Sequence, residues 1–145
     1  DALPISKVAA NLIKPDLAIA VDVGVAYDVP GMTSEKNEGK LGDGPLAILM
    51  DATSIAHDGL RKHIKDVAEH HNIPVQWATT PGGGTDAGSI HVANEGIPTI
   101  TIGVPLRYMH SNVSVLNIDD YTNSVRLITE IVRSLNDDSY QALMW

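Results

Sequence analysis

Polar residues able to do chemistry sit in four short stretches of the 145-residue chain. Asp22 stands near the end of LAIAVDVG, Leu17 to Gly24, whose apolar and β-branched side chains read as a strand buried on both faces. An isolated ionised carboxylate is costly there, so Asp22 must be ion-paired, hydrogen-bonded or bound to a metal. Asp51 closes a second apolar run, where it could equally cap the next helix. In PGGGTDAG, Gly83, Gly84, Thr85 and Asp86 precede a helix start. Glycines let the backbone approach a ligand closely, and free amides at a helix start favour anions. The plain alternative is a tight turn ending at a Thr85 cap. The loop is no P-loop, since no Lys-Ser/Thr pair follows, and its spacing differs from the dinucleotide fingerprint. RYMHS puts Arg107 and His110 in one loop, where a histidine alone is as well explained by an ordinary hydrogen bond.

These stretches need elements to position them. Ser6 to Ile13 reads as a short helix broken by Lys14-Pro15-Asp16. After the strand Leu17 to Gly24 comes Tyr27 to Gly44, rich in Gly, Pro and charge, a surface loop longer than ordinary connections. Glu35, Lys36, Glu38 and Lys40 are its solvated charges. Pro45 to Asp51 is a second strand. Asp58 to His71 is an amphipathic helix with Leu60, Ile64 and Val67 on one face, stopped by Asn72 and Pro74. Ile73 to Thr80 is a third strand, Thr85 caps a helix running to Gly96, and Ile97 to Val104 is a fourth strand. Asn117 caps a last helix whose inner stripe is Tyr121, Val125, Ile128, Val132 and Leu135. His57, His63, His70 and His71 lie on or beside a charged helix face and read as solvated, His91 as packed.

Strands alternating with helices imply an α/β fold of three layers, a mostly parallel sheet with helices on both faces. Ligands in such sheets collect at the carboxyl ends of strands. If all strands are parallel, Asp22, Asp51, the glycine loop, Arg107 and His110 share one edge. An antiparallel strand takes its segment away from that cluster.

The composition narrows the classes. Hydrophobic residues make up 43% and charged residues 19%, the balance of a globular domain. No apolar run approaches the roughly 20 residues that span a bilayer. The net charge of −8 argues against nucleic acid as a partner. With no cysteine there is neither disulfide framework nor thiolate chemistry, a usage compatible with the cytosol.

Taken together and in order, AIAVDVGVAYDVPG, KLGDGP, PGGGTDAG, GIPTITIGVPLRYMHS and the closing DDY before a helix resemble one family. It is the glutamyl aminopeptidase family of dinuclear metallo-aminopeptidases, which includes tetrahedral aminopeptidases and proteins labelled endoglucanases. The resemblance runs from about Lys7 to Asn136. It implies a zinc-peptidase-like catalytic domain holding two divalent ions, zinc or cobalt, that removes N-terminal residues from peptides. It implies Asp22 as a ligand of one metal and His110 as a ligand of the other. Gly83, Gly84, Thr85, Asp86 and Arg107 are expected near the substrate. A cytoplasmic homo-oligomer, in this family often a dodecamer, is the implied assembly.

The departures from the family pattern matter as much. Members carry, upstream of AVDV, a His ligand, a bridging Asp and a Glu-Glu pair whose first member is the general base. No HxD motif and no Glu-Glu pair occurs in the 145 residues. The chain therefore reads as the C-terminal part of a catalytic domain, incomplete at its N-terminus and inactive alone. DALPIS stands where the family has a glycine-rich stretch, so residues 1–5 are expected to be foreign, and residues 6–145 the fragment proper. Two rivals remain: a module whose glycine loop holds an anion, and a glycan hydrolase using Asp22 and Asp51 as its carboxylate pair.

Overall fold

A computed structural model describes residues 3–31 and 39–144. Residues 1 and 2 of the segment expected to be foreign, and Glu35, Lys36 and Glu38, lie outside the described residues. Helix α1 (Leu3–Ile13) leads to strand β1 (Ala18–Val25), with Lys14 at φ 52° ending the helix ahead of Pro15. Strand β2 (Leu46–Asp51), helix α2 (Asp58–His70) and strand β3 (Gln76–Thr80) follow. Then come the single turn α3 (Ala87–Ile90), strand β4 (Thr99–Leu106), and helices α4 (Ile118–Ser134) and α5 (Asp137–Met144).

The sheet order is β1-β4-β2-β3. β1 runs parallel to β4 and β2 parallel to β3, but β2 and β4 are antiparallel. The sheet is thus mostly parallel by pairing yet divided into two halves of opposite direction. α2, α4 and α5 cover one face around Ala47, Leu60, Ile64, Ile100, Ile102, Leu127, Ile131 and Leu143. α1 and α3 cover the other, through Ala10, Ala93 and Ile97. Burying each of the fully enclosed Leu60, Ile64, Leu127 and Ile131 contributes roughly 1.5–3 kcal/mol. The three layers expected of the chain are present.

Several expectations need correction. β1 is not buried on both faces: it is an edge strand, Val21 is 64% exposed, and Asp22 and Val23 are exposed beside it. The helix expected to run from Thr85 to Gly96 is only the turn α3, and Thr85 does not cap it: its hydroxyl is engaged by Asp51 and Thr101, and Asp86 at the N-cap position makes no side-chain capping bond. In α4, Asn117 does cap, accepting the Asp119 N–H at 2.8 Å. Its buried residues, however, are Asp120, Ser124, Leu127 and Ile131, while Tyr121, Val125 and Val132 face outward. His63 is half-buried rather than solvated. Its Nε2 lies 2.8 Å from Ser134 Oγ, and burial pushes its pKa down against the opposing effect of Asp66.

Candidate active site

The reversal between β2 and β4 splits the expected cluster. β1 and β4 end at one edge of the sheet, which carries Asp22, Arg107 and His110. β2 and β3 end at the opposite edge, which carries Asp51 and the glycine loop. Gly83, Gly84, Thr85 and Asp86 therefore do not gather with Arg107 and His110.

The Asp51 edge is closed by its own hydrogen bonds. Asp51 is 6% exposed. Its Oδ1 accepts the Thr53 and Ser54 backbone N–H groups and the Thr53 hydroxyl, each within 2.8 Å. Its Oδ2 accepts the Thr85 hydroxyl at 2.7 Å and the Thr85 N–H at 3.1 Å. Thr85 Oγ1 also lies 2.8 Å from Thr101 Oγ1 on β4. Burial works to raise the Asp51 pKa, but the bonds from Thr85, Thr53 and Ser54 outweigh it and hold the carboxyl below its usual range. Asp51 neither caps α2 nor pairs with Asp22 for glycan hydrolysis. It fastens the glycine loop to the sheet, and the close packing of Thr53 on Gly84 and Gly88 explains the absence of side chains there.

The opposite edge is open. Asp22 lies on the same face of β1 as Ala20 and Gly24, and its carboxylate is exposed. Its one bond to a described residue is the local one from the Val23 N–H to Oδ1, at 2.7 Å. His110 is exposed in the loop after β4, and no described residue hydrogen-bonds its ring. Arg107 does not stand free. Its Nε and Nη2 donate to Asp28 Oδ1 at 3.1 Å and Oδ2 at 2.5 Å. The Arg107 guanidinium holds the Asp28 carboxyl below its ordinary pKa, and Asp28 raises that of Arg107 in return.

A carboxylate oxygen and an imidazole nitrogen, neither spent on the protein, are donors of the kind zinc and cobalt take. They are too few to make a site. No three His, Asp or Glu side chains among the described residues are grouped to hold a metal. The donors fit in type, and the rest of a ligand set would have to come from beyond the described residues.

Two residues with structural weight in this edge were not singled out from the sequence: Asp28 and Asp120. Asp120 is 1% exposed and accepts the Gly42 and Gly44 N–H groups at 2.7 and 2.8 Å. An arginine in a loop beside the sheet needs a counter-charge, and that need was the signal that could have pointed to Asp28. For Asp120 the signal was GDG, two glycines bracketing a turn whose amides need an acceptor.

Known proteins share this architecture. The family described as M42 glutamyl aminopeptidase matches residues 3–127. A putative aminopeptidase of Acetivibrio thermocellus is 42% identical over 127 residues, 88% of this chain and 38% of that protein. The glutamyl aminopeptidase of Lactococcus lactis subsp. cremoris is 37% identical over 133 residues, 92% of this chain and 36% of that protein. Among solved structures, the TET aminopeptidase of a Thaumarchaeota archaeon superposes with a TM-score of 0.91 at 33% identity, over 95% of this chain and 38% of that one. PhTET1-12s, solved as a dodecamer, superposes with a TM-score of 0.78 at 30% identity, over 92% of this chain and 38% of that one. The chain thus spans less than half the length of these relatives. By sequence over most of its length and by fold, the chain belongs to the M42 glutamyl aminopeptidase family.

Proposed function

We propose that the protein to which this chain belongs is a metal-dependent aminopeptidase that releases residues from the N-termini of peptides. The observation that carries this reading is the coincidence of family membership with an open sheet edge bearing two unspent donors, Asp22 and His110. In this reading Asp22 supplies one terminal ligand to one divalent ion and His110 one to its neighbour, zinc or cobalt suiting both. Such paired ions polarise a scissile carbonyl and activate a water. Asp22, fixed on a strand, and His110, fixed in a braced loop, hold two of the corners. The bridging ligand and the general base come from outside the 145 residues. A homo-oligomer fits the dodecameric assembly of PhTET1-12s.

The test uses the full-length parent. Asp22→Ala and His110→Ala are each expected to abolish hydrolysis of an aminoacyl chromogenic substrate and to lower bound metal. Soluble β-glucan is expected to stay intact throughout. Full activity and metal content in both variants, or cleavage of β-glucan alone, would overturn the reading.

A further inference from the structure

Arg107 was expected near the substrate; its guanidinium is taken by Asp28, and the consequences of that pair reach His110. Arg107 directly follows β4, which ends at Leu106, and closes the loop that follows. Its N–H donates to the Val115 carbonyl at 2.9 Å, and the Val115 N–H returns to the Arg107 carbonyl at 3.2 Å. Within the loop the Tyr108 carbonyl accepts the Ser111 N–H and the Ser111 and Ser114 hydroxyls. Tyr108 and His110 both sit in the left-handed region, at φ 62° and 63°. Residues other than glycine keep that conformation only where their surroundings over-determine it. The loop is therefore a stiff bracket, and where it aims His110 is decided at its root.

At that root, among the described residues, the Arg107 side chain is anchored by Asp28 through a two-pronged fork. Asp28 follows closely on β1, the strand that carries Asp22 and the parallel neighbour of β4. The pair thus spans the two chain segments that carry the two donors. Asp28 is itself steadied, accepting the Leu41 N–H at 3.4 Å just ahead of the Gly42–Gly44 turn held by Asp120. A partly exposed ion pair adds little to stability, whereas an arginine–carboxylate fork adds geometric specificity.

We propose that the Asp28–Arg107 pair is a positioning clamp, which sets the separation between Asp22 and His110 and so governs how tightly they take a divalent cation. The proposal rests on the reading that these two residues are ligands. Neither Asp28 nor Arg107 touches the metal or the substrate in it.

The experiment compares full-length parent protein with its Asp28→Asn, Arg107→Lys and Asp28→Arg/Arg107→Asp variants. Co²⁺ affinity is measured by calorimetry, the visible spectrum of the cobalt-loaded protein is recorded, and kcat and KM are determined. Asp28→Asn keeps the shape and loses the charge; Arg107→Lys keeps the charge and loses the fork. Both are expected to weaken Co²⁺ binding by about 10- to 100-fold, the range typical of lost supporting contacts around a metal. Both are expected to alter the cobalt spectrum and to lower kcat more than they raise KM. The charge-reversed double variant is expected to recover part of the affinity. Unchanged cobalt affinity and spectrum in Asp28→Asn, with only a lower melting temperature, would overturn the clamp. A raised KM in Arg107→Lys with unchanged metal affinity would also overturn it, restoring Arg107 as a substrate contact. Undiminished cobalt binding by Asp22→Ala and His110→Ala would instead sink the ligand reading on which the clamp rests.

Discussion

Replacing Asp120 by Ala tests the joint that fastens the KLGDG turn to the first turn of α4. The carboxylate accepts two backbone amides, from Gly42 at 2.7 Å and Gly44 at 2.8 Å. The two losses are unequal. Gly42 is exposed, so its amide regains water, and only the net value of one charge-assisted bond goes, about 1.5 kcal/mol. Gly44 is buried, and its stranded amide costs about 1–3 kcal/mol. Relief of the buried charge of Asp120 offsets part of this, which leaves a destabilisation of about 2–4 kcal/mol. With an m-value of about 2 kcal/mol/M for a domain of this size, the urea midpoint falls by about 1–2 M. The assay is urea unfolding of the 145-residue chain followed by the fluorescence of Trp77, which is packed against the main core. Asp120→Asn keeps one acceptor and is expected to lose about half as much. A midpoint within about 0.2 M of wild type for Asp120→Ala, at unchanged slope, would show that the turn is held by other forces.

Gly44→Ala is expected to destabilise comparably, because φ is 94° and a Cβ would meet the Pro74 carbonyl oxygen at 2.4 Å; an unchanged midpoint would contradict this. Acid is expected to unfold the chain in a defined order. Asp28 and Asp51 have lowered pKa values, so the stability they contribute is complete above the unfolded carboxylate range and is lost as pH falls below about 4. His63, lowered as well, adds a loss that begins near pH 6.5. Urea midpoints taken from pH 7 down to pH 3 are expected to fall throughout, and a rise between pH 6 and 4 would refute the assignment. Val21→Lys, on the free edge of β1, is expected to reduce aggregation of the isolated chain, measured by light scattering, and to destabilise the full-length parent, where that edge is expected to be covered. The isolated chain with excess zinc or cobalt is expected to show no aminopeptidase activity, and clear metal-dependent hydrolysis would overturn the count of missing ligands.

What could be read in the sequence, and what could not, divides along physical lines. Leu60, Ile64 and Val67 announced α2 because an apolar stripe at helical spacing, stopped by Asn72 and Pro74, has few other uses. The same rule failed on α4. There Ile128 and Leu135 of the expected stripe do pack against the core, but Tyr121, Val125 and Val132 face outward, and the centre of the buried face goes to Leu127 and Ile131, beside Asp120 and Ser124. Counting apolar residues cannot see that a carboxylate becomes a core residue once two glycine amides are turned toward it. α5 went unread because its eight residues are too few to show a helical stripe, although Leu143 joins the core. β1 was read as doubly buried because its composition suits an interior strand; only the neighbours present decide whether one is.

The direction of the strands had a signal, and it lay in a helix length. Parallel β2 and β3 need a return path, and α2, 13 residues or about 20 Å long, supplies it. Read as running from Thr85 to Gly96, the next helix would have returned the chain in the same way and made β4 parallel to β3. At four residues it cannot, so β4 starts at the edge where β3 ended and runs back. That reversal decides which polar residues can act together. At the edge where β2 and β3 end, Asp51 has every oxygen engaged by Thr53, Ser54 and Thr85, and a carboxylate so engaged is bound into the fold. At the edge where β1 and β4 end, Asp22 keeps an unengaged oxygen in the open, and His110 is held in a strained conformation by a loop whose root is forked to Asp28. An unengaged carboxylate oxygen and an imidazole that no described residue bonds at one edge, against a carboxylate bound into the fold at the other, are why the chemistry is proposed for this edge and not for the glycine loop that looked the more distinctive in sequence.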